Sequence, residues 1–273
     1  MSTTQPMRCA LFVPASRPER FAKALQAGAD AVIIDLEDAV EHGLKDQARE
    51  SVRQFLTENP QASVLVRVND ATTRWFAQDI DMCASLPGVA AVVLPKAESA
   101  IHVRQVFSRG KPVMPIIESA RGVLSLAEIA AAPGVTRLSF GSLDLMLETG
   151  TQPETEGAGV LLDHIRCQIL LHSAMNGLEQ PFDGVYPNFA DLDGLAAVAG
   201  KIRDMGFAGM LSIHPKQVAV IQSVFAPSEA DLAWAARVVE QADATGSLAF
   251  QVDGKMVDAP VIARARRLLA LKG

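Results

Sequence analysis

The chain is 273 residues long, 49% hydrophobic and 21% charged, with a formal charge of −6. That length bounds it to one large domain or two small ones with apolar content for a substantial core, and the lack of a basic tract argues against nucleic acid as a partner. Three scattered cysteines (Cys9, Cys83, Cys167) with no CxxC or Cys/His cluster argue against a disulfide framework or structural zinc, and no apolar run nears the ~20 residues of a membrane span, so the expectation is a cytoplasmic protein with no membrane partner.

Taken in order, short apolar runs alternate with helical patterns. The runs fall at 9–13, 31–36, 63–68, 89–94, 112–117, 135–140, a poorly marked one within 178–185, and 208–213. Between them, helices are expected from the S-R-P-E-R stretch to about 27, then at 44–58, 71–85, 99–107, 121–132, 157–176, 189–205 and 215–225. Pro18 suits a first helical turn. Leu161, Leu162, Ile165, Ile169 and Leu170 give the 157–176 helix an apolar stripe. Eight strand-then-helix units predict an α/β fold, a (β/α)8 TIM barrel over residues 1–225. A doubly wound sheet competes with it, but no G-x-G-x-x-G follows the first run and there is no P-loop. Residues 226–273 form a helical extension with a Gly-punctuated, irregular middle. An eight-unit barrel does not require it, and such a segment is expected to act as a lid, over its own site or a neighbour's.

The chemistry concentrates at the C-terminal ends of the runs, where barrel enzymes carry it. P-I-I-E-S-A-R-G places Glu118 just past the fifth run, and F-G-S-L-D-L places Asp144 just past the sixth. On consecutive parallel strands these carboxylates emerge side by side as two hard oxygen donors for Mg²⁺. Each alone also fits the N-terminus of a helix. D-L-E-D, Asp35 to Asp38, closes the second run with three carboxylates, which a nearby cation or a set of hydrogen-bond donors would stabilise. Arg67, inside V-L-V-R-V-N, needs an anionic partner. That partner is a structural carboxylate such as Glu37 or Glu118, or the carboxylate of a substrate. Lys96, in V-L-P-K, reads as a counter-ion to the carboxylates, a surface lysine or a Schiff-base lysine. His214, in S-I-H-P, reads as structural or catalytic.

In register from Leu11 to about Pro260, F-V-P-A-S-R-P-E-R-F, I-I-D-L-E-D-A-V, V-R-V-N, L-P-K, P-I-I-E-S-A-R-G, F-G-S-L-D-L, S-I-H-P-K-Q and D-G-K-M-V-D-A-P together resemble the citrate lyase β-subunit family, within the HpcH/HpaI aldolase superfamily. The resemblance implies a TIM barrel, usually trimeric, that uses Mg²⁺ to cleave or form a C–C bond in a 3-hydroxyacyl-CoA. Citryl-, malyl- and citramalyl-CoA are the family's substrates, and acyl-CoA and an oxo-acid its small-molecule partners. Position by position, Glu118 and Asp144 match the metal ligands. Arg67 matches the arginine that holds the oxo-acid, and Glu37 and Asp38 match acids that hydrogen-bond metal waters and Arg67. Asp258 matches an aspartate delivered from the neighbouring subunit's lid. Arg17 and Arg20 are the candidates for the CoA phosphates, and Lys96 for the substrate. The family also implies a homo-oligomer, a trimer or hexamer. The chain is shorter than typical malyl-CoA lyases, and residues 149–157 match no diagnostic pattern.

Overall fold

The computed structural model describes residues 6–246 and 249–271. Two compact units result, Met7–Val224 and one that begins at Phe225.

In the first unit, eight strands close into a barrel: β1 Cys9–Pro14, β2 Ala31–Asp35, β3 Val64–Arg67, β4 Val89–Leu94, β5 Val113–Ile117, β6 Arg137–Phe140, β7 Glu179–Asp183 and β8 Gly209–Ser212. Every pairing is parallel, and β8 returns to β1 through Cys9 opposite Met210. The helices between them are α1 Phe21–Leu25, α2 Lys45–Glu58, α3 Phe76–Ser85, α4 Ala100–Phe107, α5 Ala120–Leu124, α6 Leu126–Ala130, α7 Ser142–Thr149, α8 Glu156–Met175, α9 Leu192–Met205 and α10 Pro215–Phe225. Strands buried on both faces read as continuous apolar runs, which is why most were legible. One set of side chains, Ala10, Ile33, Leu65, Val93, Met114, Ile116, Phe182 and Leu211, fills the barrel interior. At the C-terminal ends Pro14 lies opposite Asp35, Asp35 opposite Arg67, and Arg67 opposite Val93. The register therefore levels the residues that follow each strand at one face.

Several expected elements are placed differently, each for a local reason. The helix expected from residue 71 begins at Phe76, because Asp70 folds its own loop by accepting from the Thr72 amide at 2.6 Å. The helix expected over 121–132 breaks at Ser125 into α5 and α6. α9 begins at Leu192 because the Asp191 side chain caps it, accepting from Gly194 N at 2.9 Å. Although Asp144 fits a helix N-terminus, helix α7 is absent from the expected elements. Its apolar residues Leu143 and Leu147 are exposed, so it carries no buried stripe to announce it.

The second unit holds α11 Glu229–Thr245, a hairpin of β9 Phe250–Val252 and β10 Lys255–Val257, and α12 Ala259–Ala270. Its own core gathers Ala235, Val238, Ala242, Val252, Val257, Ile262 and Ala265. The stretch expected to be irregular is thus a hairpin. Asp253 and Gly254 turn it with φ of 52° and 73°, the two positive values that match a strand pair's twist. Val257 is buried, whereas Met256 is 70% exposed.

Candidate active site

A cavity of about 420 Å³ opens at the C-terminal face of the barrel, and Asp35, Asp38, Arg67, Glu118 and Asp144 all line it. Phe12, Ile116 and Leu211 give it an apolar component. Five charged side chains beside apolar ones make a site that both orients and desolvates a small ligand.

Glu118 follows the last residue of β5 and is 6% exposed. Its Oε1 accepts from the backbone N–H of Lys96 at 2.7 Å. Burial pushes its carboxyl up to about 8, against the Lys96 N–H and Arg67 and with help from the negative Glu37 and Asp144. Asp144 sits in the first turn of α7, whose N-cap is Gly141 rather than an acid. Gly141 N donates to Ile117 O at 2.9 Å and ties the end of β6 to that of β5. A Cβ at Gly141 would stand 2.4 Å from Glu118 Oε2, so only glycine lets the two strand ends approach this closely.

Arg67 holds a planar fork on Asp35, Nε to Oδ1 and Nη2 to Oδ2, both at 2.7 Å. The sequence marks Asp35 as one of the three D-L-E-D carboxylates but not as the partner of Arg67. The signal lay in register, since β2 and β3 pair Asp35 directly with Arg67. Glu37 and Asp38 stand further off, at 3.2 and 3.7 Å from Nη1, and Glu118 is not an ion-pair partner of Arg67. Burial opposes the guanidinium charge, but Asp35, Glu37 and Asp38 hold it above its ordinary value. Two N–H groups go to Asp35, so three of the five remain, with Glu37 and Asp38 as their neighbours.

Glu37 is buried. Its Oε1 accepts from Lys96 Nζ, while Oε2 has no hydrogen-bond donor, its 3.2 Å approach to Arg67 Nη1 notwithstanding. Burial pushes Glu37 up to about 7 against the pull of Arg67 and Lys96. Burial also opposes ionisation of Asp38, but Glu37, Arg67 and Lys96 hold it below the usual carboxylate range. Lys96 Nζ is committed to Glu37 and lies 3.6 Å from Asp38. Burial works against its charge, yet these carboxylates and Glu118 keep it above the ordinary lysine value. A lysine held as ammonium is no Schiff-base nucleophile, so the counter-ion reading is the one its surroundings fit. Lys45 also escaped the sequence reading. It is buried and donates to Leu36 O at 2.8 Å and Glu37 O at 2.7 Å, which fixes the D-L-E-D loop.

The other expected site residues lie outside this cluster. Arg17 and Arg20 are exposed beyond the end of β1 and line no part of the cavity; Arg20 faces Glu19 at 3.9 Å. Asp258 belongs to the second unit and is the N-cap of α12, accepting from Val261 N at 3.3 Å. His214 stacks on Phe189, ring centroids 4.7 Å apart, and accepts from Lys216 N. Residues 247 and 248 of the expected lid lie outside the described residues.

The donor chemistry fits a hard divalent cation. Glu118 is a carboxylate whose burial outweighs the pull of Arg67 and the Lys96 N–H, Asp144 lies close enough to raise it, and Glu37 Oε2 is an orphaned acceptor suited to a water of such an ion. Among the described residues no three Asp, Glu, His or Cys side chains converge as a ready ligand set, so water and substrate oxygens would complete the coordination.

Residues 8–215 match the HpcH/HpaI aldolase/citrate lyase family. The chain is 38% identical over 266 residues to a citrate lyase subunit beta-like protein of Mycobacterium tuberculosis, covering 96% of this chain and 94% of that one. It is 36% identical over 274 residues to a (3S)-malyl-CoA thioesterase of Cereibacter sphaeroides, covering 97% and 94%. Among solved structures, CitE from Mycobacterium tuberculosis in complex with magnesium, acetoacetate and coenzyme A superposes with a TM-score of 0.84 at 35% identity, over 99% of this chain and all of that one.

Proposed function

Because this chain belongs to the HpcH/HpaI aldolase/citrate lyase family, we propose that it is a Mg²⁺-dependent carbon–carbon lyase acting on a 3-hydroxyacyl-CoA of the citryl-, malyl- or citramalyl-CoA type. The observation that carries this reading is the convergence of Glu118, Asp144 and Arg67 on one cavity. Glu118 and Asp144 hold the cation. Bound there, Mg²⁺ polarises the substrate's hydroxyl and carboxylate oxygens and fixes their orientation. Arg67, clamped by Asp35, offers its remaining N–H groups to the oxo-acid oxygens as cleavage proceeds. Glu37 and Asp38 orient water beside the ion and keep the guanidinium in place. Asp258, supplied by a neighbouring copy in a homotrimer or hexamer, exchanges the proton at the thioester's α-carbon. Arg17 and Arg20 meet the CoA phosphates. The cytoplasm is the proposed location, and no helix among the described residues is long and apolar enough to cross a membrane.

A screen of the three thioesters with Mg²⁺ tests this. Acetyl-CoA plus an oxo-acid is the expected product pair. EDTA should abolish turnover, as should Glu118→Gln, which should also lower Mg²⁺ affinity in calorimetry while circular dichroism stays native. Full activity in EDTA would remove the metal reading. The likeness to a malyl-CoA thioesterase favours a second outcome, hydrolysis on the same site, and free CoA in the product mixture is its signature.

A further inference from the structure

Lys96 occupies a backbone conformation that its residue type disfavours. Its φ is 45°, one of three positive values at non-glycine residues among the described chain. The other two, Glu154 and Asp253, lie in turns and share no hydrogen bond or ion pair with Glu37, Asp38 or Glu118. Side chains with a Cβ resist this region, and residues held there mark places where the surroundings over-determine the chain. At Lys96 the surroundings are identifiable. The backbone N–H reaches Glu118 Oε1 at 2.7 Å. The ammonium is held by Glu37 and stands 3.6 Å from Asp38. The next residue is pinned too, with Ala97 N donating to Ile116 O on β5 at 3.2 Å. One residue thus links the acids after β2 to the acid after β5.

We propose that Lys96 is a positioning residue whose left-handed backbone aims its amide at Glu118 while its ammonium anchors Glu37 and Asp38, so that backbone and side chain make separable contributions to the site. It is then neither a substrate-binding cation nor a nucleophile. The inference rests on the reading of Glu118 as a cation ligand, but its first readout does not need the cation. In Lys96→Ala the ammonium no longer holds the strained backbone, the Cβ penalty remains, and the N–H turns away from Glu118. In Lys96→Gly the left-handed region carries no such penalty, and the N–H stays in place although more side chain has been removed.

The test compares wild type, Lys96→Gly and Lys96→Ala, each first checked for native circular dichroism and melting. Amide hydrogen exchange at position 96, followed by NMR, should show protection in wild type and Lys96→Gly and its loss in Lys96→Ala. Calorimetric titration with MgCl₂ should then show Lys96→Ala binding at least about fivefold more weakly than Lys96→Gly, which corresponds to ~1 kcal/mol. Equal protection in the two variants, or Lys96→Ala binding Mg²⁺ as well as Lys96→Gly, would overturn the backbone role. Absence of any Mg²⁺ heat in wild type would instead sink the lyase reading, and the exchange comparison would still decide the role of Lys96.

Discussion

At the scale of single residues, the Asp35–Arg67 fork governs how the site tolerates change. Lysine keeps the charge at position 67 but not the planar geometry that spans both Asp35 oxygens at 2.7 Å and leaves further N–H groups for a ligand. Arg67→Lys is therefore expected to lower kcat/KM at least tenfold, about 1.4 kcal/mol in the barrier. Near-normal steady-state kinetics in that variant would make the arginine irrelevant to the oxo-acid. The cysteines give a second residue-level expectation. Cys9 and Cys83 are buried and Cys167 is exposed. Burial, with Asp30 nearby, pushes the Cys9 thiol up to about 12, and burial with Asp79 pushes Cys83 up as well. Only the thiolate reacts, so alkylation of the native protein near pH 8 should label Cys167 alone, read by peptide mass spectrometry. Labelling of Cys9 or Cys83 without unfolding would contradict the burial of β1 or α3.

At the scale of elements, the contact between the ends of β5 and β6 matters most. Gly141 has an ordinary negative φ of −111°, so alanine there is not strained; the difficulty is space. The added methyl would meet Glu118 Oε2 at 2.4 Å and Glu118 Cβ at 2.5 Å. Gly141→Ala is thus expected to displace the Glu118 carboxylate, with Mg²⁺ half-saturation in the assay rising at least about tenfold, and a melting temperature that moves by only a few degrees, as expected for ~1 kcal/mol. An unchanged Mg²⁺ requirement would mean that Glu118 is not where the cation is held. The same element pair shows what the sequence could and could not reveal. Seven of the eight strands announced themselves as apolar runs, and the acids beyond them were visible as interruptions. β7 was faint because E-Q-P-F-D carries its own polar ends, which are matched from outside the strand: Glu179 by Arg137, and Asp183 by the buried Arg166 of α8 at 3.0 Å. Such pairings are long-range, and no local pattern encodes them. The pairing of Asp35 with Arg67 was hidden for the same reason, the two lying 32 residues apart, and Lys96's backbone angle leaves no trace in residue type.

For the whole molecule, Glu118 belongs to the barrel and Asp258 to the second unit, and that division of the proposed machinery makes assembly testable. Asp258 caps α12, and the proposed function gives it a further task at a neighbouring subunit's site. Two inactive variants, Asp258→Ala and Glu118→Gln, should regain activity when mixed and allowed to exchange subunits, because some sites then combine an intact Glu118 with an intact Asp258 from another chain. If proven exchange restores nothing, the aspartate acts within its own subunit or only as a helix cap.

The closed ring has a consequence for how the chain is made. Each lateral pairing but one joins strands that follow each other along the chain; the exception is β1 with β8. When the ribosome has delivered β1, the partner for its second edge is still unwritten. At ~5–20 residues per second, the roughly 200 residues in between take on the order of 10–40 s to synthesise. Throughout that interval the nascent protein is an open, growing sheet with bare backbone donors and acceptors along its first strand, free to pair with another polysome's product. The hazard lies in the order of synthesis, and the finished, edge-free ring gives no outward sign of it.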